Sequence, residues 1–305
     1  MIPVVDCTND VTLHGKEILE AIESVGFVYL KNCGIPDEQV QRLTELGRQL
    51  WQLPAEVKKQ YARPDGPASG NSGYVAPNVE MFDKNNKAEL REAFNFSCWA
   101  GKEGDCLDKQ KLPDDLIPGF RQEITAFFHL CHDISMKILK TMAIEMKMDD
   151  LDFFQKAHQF IGSPKNGTAL RLLHYPPLPD DIEPGTSRCG VHSDYGTITL
   201  LFQDMIGGLE VCDREGKFVP AKPEPAAVLL NTASLLQHWT SDRLLAVKHR
   251  VLVPEDKSLW SADRCSIAFF VHPDDDCIVQ PLDGSSKYQP ISGKQFLIDK
   301  FKQTY

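Results

Sequence analysis

Between residues 169 and 271 the chain runs as a series of short apolar segments cut by turn residues, and few folds accept that pattern. Ala169–Tyr175, Gly190–Phe202, Leu209–Cys212, Ala226–Asn231, Ala246–Val253 and Ile267–Val271 are rich in Val, Leu, Ile and Phe. Pro176-Pro177 closes the first segment, and Pro254-Glu255-Asp256 closes the fifth. Strands at this spacing are those of an all-β barrel or jelly roll. The N-terminal half has a different period. Leu13, Ile18, Leu19, Ile22 and Val25 fall near helical spacing, with Gly26 as a stop, and Phe27–Leu30 follows as a strand. A second helix starts near Pro36-Asp37-Glu38 and carries Val40, Leu43, Leu46, Leu50 and Trp51 on one side. A third runs from Pro118 to about Met146, with Phe120, Ile124, Phe127, Cys131, Ile134, Ile138 and Met142 recurring every three or four residues. These helices read as scaffold packed on a sheet. His129, His132 and Asp133, on the third, read as solvated or capping residues. Residues 62–89 are rich in Pro, Gly, Asn, Asp and Lys and read as a long loop, a common source of lids and binding walls.

Composition removes several classes of function. The net charge is -10, with 43 acidic against 33 basic residues, so a nucleic-acid backbone is not an expected partner. No apolar run approaches a membrane span, and the start, Met1-Ile2-Pro3-Val4-Val5-Asp6, turns polar too early for a signal peptide. Nine cysteines are scattered without a Cys-x-x-Cys pair, which argues for reduced thiols rather than disulfides or a zinc knuckle. The expectation is a cytoplasmic protein, a monomer, without a membrane partner.

The chemistry-bearing residues lie on the predicted strands. His192 and Asp194 are two positions apart, and in a strand such positions share a face. His249 sits inside Ala246–Val253, and Arg264 and Ser266 again share a face. Each alone has a plain reading: a surface turn, a hydrogen-bonded core histidine, a sheet-edge arginine, a packing serine. Their joint order within one strand-rich segment is what points elsewhere. Two imidazoles and one carboxylate leave half of a coordination sphere open, which is what a non-haem Fe(II) oxygenase needs. No His-Glu-x-x-His helix motif is present to suggest a zinc hydrolase.

His192-Ser193-Asp194, Gly207-Gly208-Leu209-Glu210-Val211, Asn231, Leu236-Gln237, His249-Arg250-Val251 and Arg264-Cys265-Ser266 together resemble the plant-type 2-oxoglutarate/Fe(II) dioxygenases, the group that includes isopenicillin N synthase. Ile2–Asp6, Gly26–Leu30, Leu53–Lys58, Gly73-Tyr74 and Lys87–Phe94 resemble the N-terminal region of that family. The resemblance implies a mainly β protein with flanking helices, built on a double-stranded β-helix (jelly roll) core. The expected division is an N-terminal extension over 1–115 and an oxygenase core over 116–305, forming one catalytic unit. It also implies that His192, Asp194 and His249 bind Fe(II), and that Arg264 and Ser266 hold the far carboxylate of 2-oxoglutarate, with Tyr175 as a further donor. O₂ would be the second co-substrate and a small organic molecule the substrate. Asn231 and Gln237 are candidates for orienting ligands or the pocket mouth. Phe270 is a pocket wall or a core residue, and Tyr195 faces the pocket or the barrel exterior.

The chain departs from that family at a few positions. Leu173 stands where many relatives carry an asparagine, His174 where tyrosine is common, and Ala233-Ser234 where Gly-Asp is common. Three functions therefore stay open at this point. The first is a 2-oxoglutarate-dependent dioxygenase that hydroxylates or desaturates its substrate. The second is an isopenicillin N synthase-like Fe(II) oxidase that needs no 2-oxoglutarate, and the third a non-catalytic barrel that binds a metal and a carboxylate.

Overall fold

The period-two segments do form strands, and short strands from the N-terminal half complete their sheet. A computed structural model describes residues 1–82, 88–102, 107–182, 186–254 and 256–305. Residues 83–87 of the long loop, Lys87 among them, and Glu255 of the predicted turn lie outside the described residues. In the N-terminal half the strands are β1 (Val4–Asp6), β2 (Phe27–Lys31), β3 (Gly73–Val75) and β4 (Glu92–Phe96). The rest are β5 (Ala169–Tyr175), β6 (Cys189–His192), β7 (Ile198–Gln203), β8 (Leu209–Cys212), β9 (Phe218–Pro220), β10 (Ala227–Thr232), β11 (His249–Val251) and β12 (Arg264–Val271). The larger sheet has the order β1-β2-β10-β7-β12-β5-β4-β3, and the smaller one β9-β8-β11-β6. Among the described strands of these two sheets, only the β1/β2 pairing is parallel. This is the jelly-roll core, with N-terminal strands extending its larger sheet.

Alternation sorts the larger sheet into two faces. On β12, Cys265, Ile267, Phe269 and Val271 join the core that packs against the helices α1 (Gly15–Val25), α2 (Asp37–Gln52) and α3 (Phe120–Glu145). Arg264, Ser266, Ala268 and Phe270 point the other way and line an internal cavity. Their partners across the ladder continue the inner row: Tyr175, Leu173, Arg171 and Ala169 on β5, and Gln203, Leu201 and Thr199 on β7. The smaller sheet closes this side with Cys189, Leu209, Val211 and Val251. On the helical side, residues such as Phe127, Phe128 and Ile138 are fully buried, each contributing roughly 1.5–3 kcal/mol of hydrophobic stabilisation.

Helix boundaries follow the predicted signals. Gly26 ends α1 in the left-handed region (φ 77°), donating to Ile22 O at 2.8 Å. A β-carbon there would also meet Val247 Cγ2 at 2.4 Å. Asp37 and Glu38 occupy the first turn of α2, where the helix dipole favours acids. His129 and Asp133 are exposed and His132 is half-buried on α3, as solvated residues would be. Among the described residues no helix is long and apolar enough to cross a membrane.

Three strand expectations are corrected. Gly190–Phe202 is not one strand: β6 stops at His192, and a turn carries residues 193–197 before β7 begins. Gly196 is the reason the turn fits, since a β-carbon there would lie 2.0 Å from Val271 O. Ala246–Val253 shrinks to β11, whose register with β6 shifts between His249 and Val251. The segment 62–89 is not all loop, since β3 and the short pair Ala88–Glu89 with Thr186–Ser187 lie in or against it.

Candidate active site

His192 ends β6 and His249 opens β11, and the two are direct partners across the ladder, with ring centroids 4.3 Å apart. Asp194 lies in the following turn rather than on the strand, yet its carboxylate turns back to the same point. Asp194 Oδ1 is 3.9 Å from His192 Nε2 and 3.6 Å from His249 Nε2. The three ligand atoms lie within 4.8 Å of one another, and among the described residues this is the cluster able to hold a metal ion.

Backbone and side-chain partners aim each of these atoms. His192 Nδ1 donates to Gly190 O at 2.9 Å and His249 Nδ1 to Val247 O at 3.1 Å. Both rings therefore present an unprotonated Nε2 to the centre. Asp194 Oδ2 accepts from Asn231 Nδ2 at 2.6 Å and Thr199 Oγ1 at 2.7 Å, which leaves Oδ1 free to ligate. Ser234, in place of the common aspartate, holds the Asp194 backbone: its N–H and Oγ both donate to Asp194 O, at 2.9 and 2.7 Å.

Burial lowers the pKa of both imidazoles, with His249 down to about 4 under the added influence of His192. Burial alone would raise the Asp194 carboxyl, but His249, His192, Asn231 and Thr199 bring it below its ordinary value. Neutral imidazoles beside an ionised carboxylate are the protonation states that metal binding requires. The donor set and the free positions around it fit a divalent iron ion.

At one end of the inner row, Arg264 is 1% exposed, and its guanidinium lies 4.6 Å above the Tyr175 ring. Its Nε donates to Gly207 O at 2.7 Å, and its Nη1 and Nη2 reach Ser266 Oγ (3.5 Å) and Gln203 Oε1 (3.4 Å) only at long range. Gln203 Nε2 is buried with no hydrogen-bond partner, as are all three nitrogens of Arg188, a residue whose pKa is lowered by burial and by Arg264. Burial also holds the Tyr175 hydroxyl protonated, against the pull of Arg264. Arg264, with its terminal nitrogens only weakly engaged, lines one end of the cavity beside Ser266 and Tyr175, and together they make a cradle for a carboxylate. Leu173, between Arg171 and Tyr175 on the inner face, supplies only apolar wall there.

The same cavity continues past the metal cluster. Phe270 and Tyr195 both line it. Gln237 does not line it. Its Oε1 accepts from Ala246 N at 2.7 Å and its Nε2 donates to Asp242 and Tyr288, so it steadies the chain leading to His249 instead. His174 bridges Glu92 (2.8 Å) and Asp263 (2.7 Å) on the far side of the sheet, stacked on Trp51. Several cavity residues were not singled out from the sequence: Thr199, His272, and above all Glu80, Phe82, Arg91 and Arg171. Gln203, beside Arg264, was missed as well. For Arg171 the signal was available, because it alternates in step with Tyr175 on one strand. For Glu80 and Phe82 none was, since they come from an irregular loop.

Comparison with known proteins decides the family. The 2OG-Fe(II) oxygenase superfamily model matches residues 166–273, and the model described as the N-terminal part of a non-haem dioxygenase in morphine synthesis matches 2–115. A 2-oxoglutarate-Fe(II) type oxidoreductase of Metarhizium rileyi, ppzD, is 31% identical over 96% of this chain and 86% of its own. The chain belongs to the 2-oxoglutarate/Fe(II) oxygenase superfamily.

A proline hydroxylase of Petromyces alliaceus, buaE, is 32% identical over 95% of this chain and 93% of its own. Among solved structures, a full-length Neurospora crassa protein in complex with alpha-KG superposes with a TM-score of 0.84 at 28% identity, covering 99% of this chain and 96% of that one. The protein is thus a 2-oxoglutarate- and Fe(II)-dependent dioxygenase that oxidises a small organic molecule.

Proposed function

We propose that His192, Asp194 and His249 are the iron ligands, that Arg264, Ser266 and Tyr175 anchor 2-oxoglutarate, and that Phe270 and Tyr195 flank the substrate. The observation that carries this reading is the convergence of three correctly protonated ligand atoms in one cavity with the weakly engaged Arg264 guanidinium. The iron supplies the activation of O₂, coupled to oxidative decarboxylation of the co-substrate. The protein's part is positional. Arg264 and Ser266 grip the distal carboxylate, the Tyr175 O–H donates beside them, and Leu173 keeps water from the co-substrate's apolar midsection. Asn231 and Thr199 hold the Asp194 oxygen that does not ligate, so the other stays aimed.

Hydroxylation is the favoured outcome over desaturation, in keeping with the proline hydroxylase among its relatives. The Neurospora crassa protein has also been crystallised with alpha-KG and thymine together. Phe82, Tyr195 and Phe270 would offer a flat ring of that kind aromatic walls. The free, buried thiols of Cys7, Cys33, Cys131, Cys189 and Cys265 support a reducing, cytoplasmic setting. A site assembled from one chain supports action as a monomer, with residues 1–115 and 116–305 working as one unit, and the charge of -10 speaks against nucleic acid.

The test is to add Fe(II) and 2-oxoglutarate to the purified protein without O₂ and look for the visible metal-to-ligand charge-transfer band. Succinate is then measured after admitting air. The band and succinate are expected in the native protein, and the band is expected to vanish in His249→Ala. An undiminished band in that variant would place the iron elsewhere.

A further inference from the structure

The cavity holds two clusters of guanidinium groups, not one. Arg264 lies at the co-substrate end. Arg171 and Arg91, 7% and 4% exposed, lie further along the same wall. Arg171 and Tyr175 share the inner face of β5 four residues apart, so the clusters are separated by about 13 Å along the strand. The second cluster is also close to the metal ligands. Phe82 is sandwiched between the Arg91 guanidinium, 4.8 Å from its ring centre, and the His192 ring, 4.1 Å away and nearly parallel at 7°. An enzyme that binds a dicarboxylate between two such forks has a problem of orientation, because either fork can take a carboxylate and either grip brings the diacid near the metal.

One side chain answers both forks. Glu80 is 5% exposed, and its Oε1 accepts from Arg171 Nη1 at 3.0 Å and from Tyr305 Oη at 2.9 Å. Its Oε2 accepts from Arg91 Nη1 at 2.8 Å and from Arg171 Nη2. Arg91 Nη2 turns to Glu89 Oε2 at 3.0 Å. Arg171 and Arg91 thus spend their terminal nitrogens on Glu80 and Glu89, so neither offers an open fork to a bound carboxylate. Burial opposes ionisation of Glu80, but Arg171 and Arg91 outweigh it and hold its pKa at about 2. The carboxylate is therefore present at any working pH. It is also held in place from outside the sheet, since Met81 N donates to Thr304 O at 3.0 Å beside the Tyr305 contact.

We propose that Glu80 is a built-in carboxylate that closes the second guanidinium fork, so that 2-oxoglutarate binds as one copy in one orientation and the remaining half of the cavity takes an uncharged substrate. This rests on the reading of Arg264 as the co-substrate anchor. A substrate bringing its own carboxylate would either leave that charge buried without an open guanidinium fork or have to expel Glu80 from four hydrogen bonds. An uncharged molecule with polar edges meets neither cost, and the aromatic walls Phe82, Tyr195 and Phe270 suit it.

Calorimetry with glutarate on the metal-free protein tests this, because glutarate has both carboxylates and lacks the 2-oxo group that chelates iron. The native protein is expected to bind one glutarate, Glu80→Ala two, Arg264→Ala none, and the double variant one. A single site in Glu80→Ala that disappears in the double variant overturns the proposal and leaves the anchor standing. Undiminished binding in Arg264→Ala with Glu80 intact removes the anchor reading itself, which is a different result. Benzoate added to the glutarate-loaded native protein is expected to give no heat, and its binding would overturn the claim of an uncharged substrate. If Glu80→Ala is unstable, Glu80→Gln and acetate supply the answer. Acetate is expected to raise the melting temperature of the glutamine variant and not that of the native protein, and equal shifts in both would overturn the proposal.

Discussion

Replacing Thr199 by valine exchanges a hydroxyl for a methyl of nearly the same shape, at a position 3% exposed. The change removes the 2.7 Å hydrogen bond to Asp194 Oδ2 and leaves the 2.6 Å bond from Asn231. A hydrogen bond to a charged group contributes about 1.5–3 kcal/mol. At about 1.4 kcal/mol per decade, the upper limit of the effect on iron affinity is on the order of 10–100-fold. That range is also typical of partners that orient a ligand without touching the metal. The bond exists before iron arrives, so it acts by keeping Oδ1 aimed, and the carboxylate of the variant can rotate away on one remaining tether. The assay is competition with a chromophoric chelator for Fe(II) without O₂, alongside a melting curve to show that the fold persists. A dissociation constant within twofold of the native value, in a folded variant, would falsify the account of Asp194 as a tethered ligand. The control is Ser266→Ala, which should weaken 2-oxoglutarate binding and leave the iron constant unchanged.

The remaining expectations concern the metal, the anchor and pH. His192→Ala, Asp194→Ala and His249→Ala should each abolish turnover and release iron from a folded protein, and Asp194→Glu should fail too because a methylene displaces Oδ1; retained activity in any of them removes that residue from the ligand set. Arg264→Lys keeps the charge and loses the fork, so 2-oxoglutarate should bind more weakly while iron is retained. Arg264→Ala leaves a buried carboxylate unpaired at roughly 3 kcal/mol, about two decades in the dissociation constant measured by calorimetry without O₂. His158 and His272 are buried and neutral, each lowered mainly by burial from 6.5 to about 4. The unfolded chain therefore binds more protons between these values, and stability falls as pH drops below 6.5. Each of the two contributes a slope approaching about 1.4 kcal/mol per pH unit near pH 5, in addition to that of His249, which burial also lowers to about 4. Denaturant melts of the metal-free protein across about pH 4.5–7 should show the slope fall by about 1.4 kcal/mol per pH unit in His158→Gln.

What could be read in advance follows from the length scale of each interaction. Alternation along a strand is a local property with period two, so Arg264 and Ser266 share a face in the sequence as they do in the fold. The helix stop at Gly26 and the acidic start of α2 are local in the same sense. His192 and Asp194 illustrate the limit. The spacing predicted a shared face on one strand, and the side chains do meet, but through a turn that only Gly196 and its approach to Val271 make possible. Gln237 lies beside residues that matter and still turns away from the cavity, because Ala246 and Asp242 satisfy it first.

Residue order was enough to name the kind of chemistry: two imidazoles, a carboxylate and an arginine-serine pair on strands that must close into a jelly roll. The shape and charge of the other half of the cavity come instead from contacts made across the folded chain. Glu80 meets Arg171 across 91 positions and Tyr305 across 225. It does so from an irregular loop whose side chains obey no period. A charged residue in such a loop looks like any solvated surface residue until the fold buries it. Once buried, it must find opposite charge and hydrogen bonds, and here those come from two arginines beside the metal ligands.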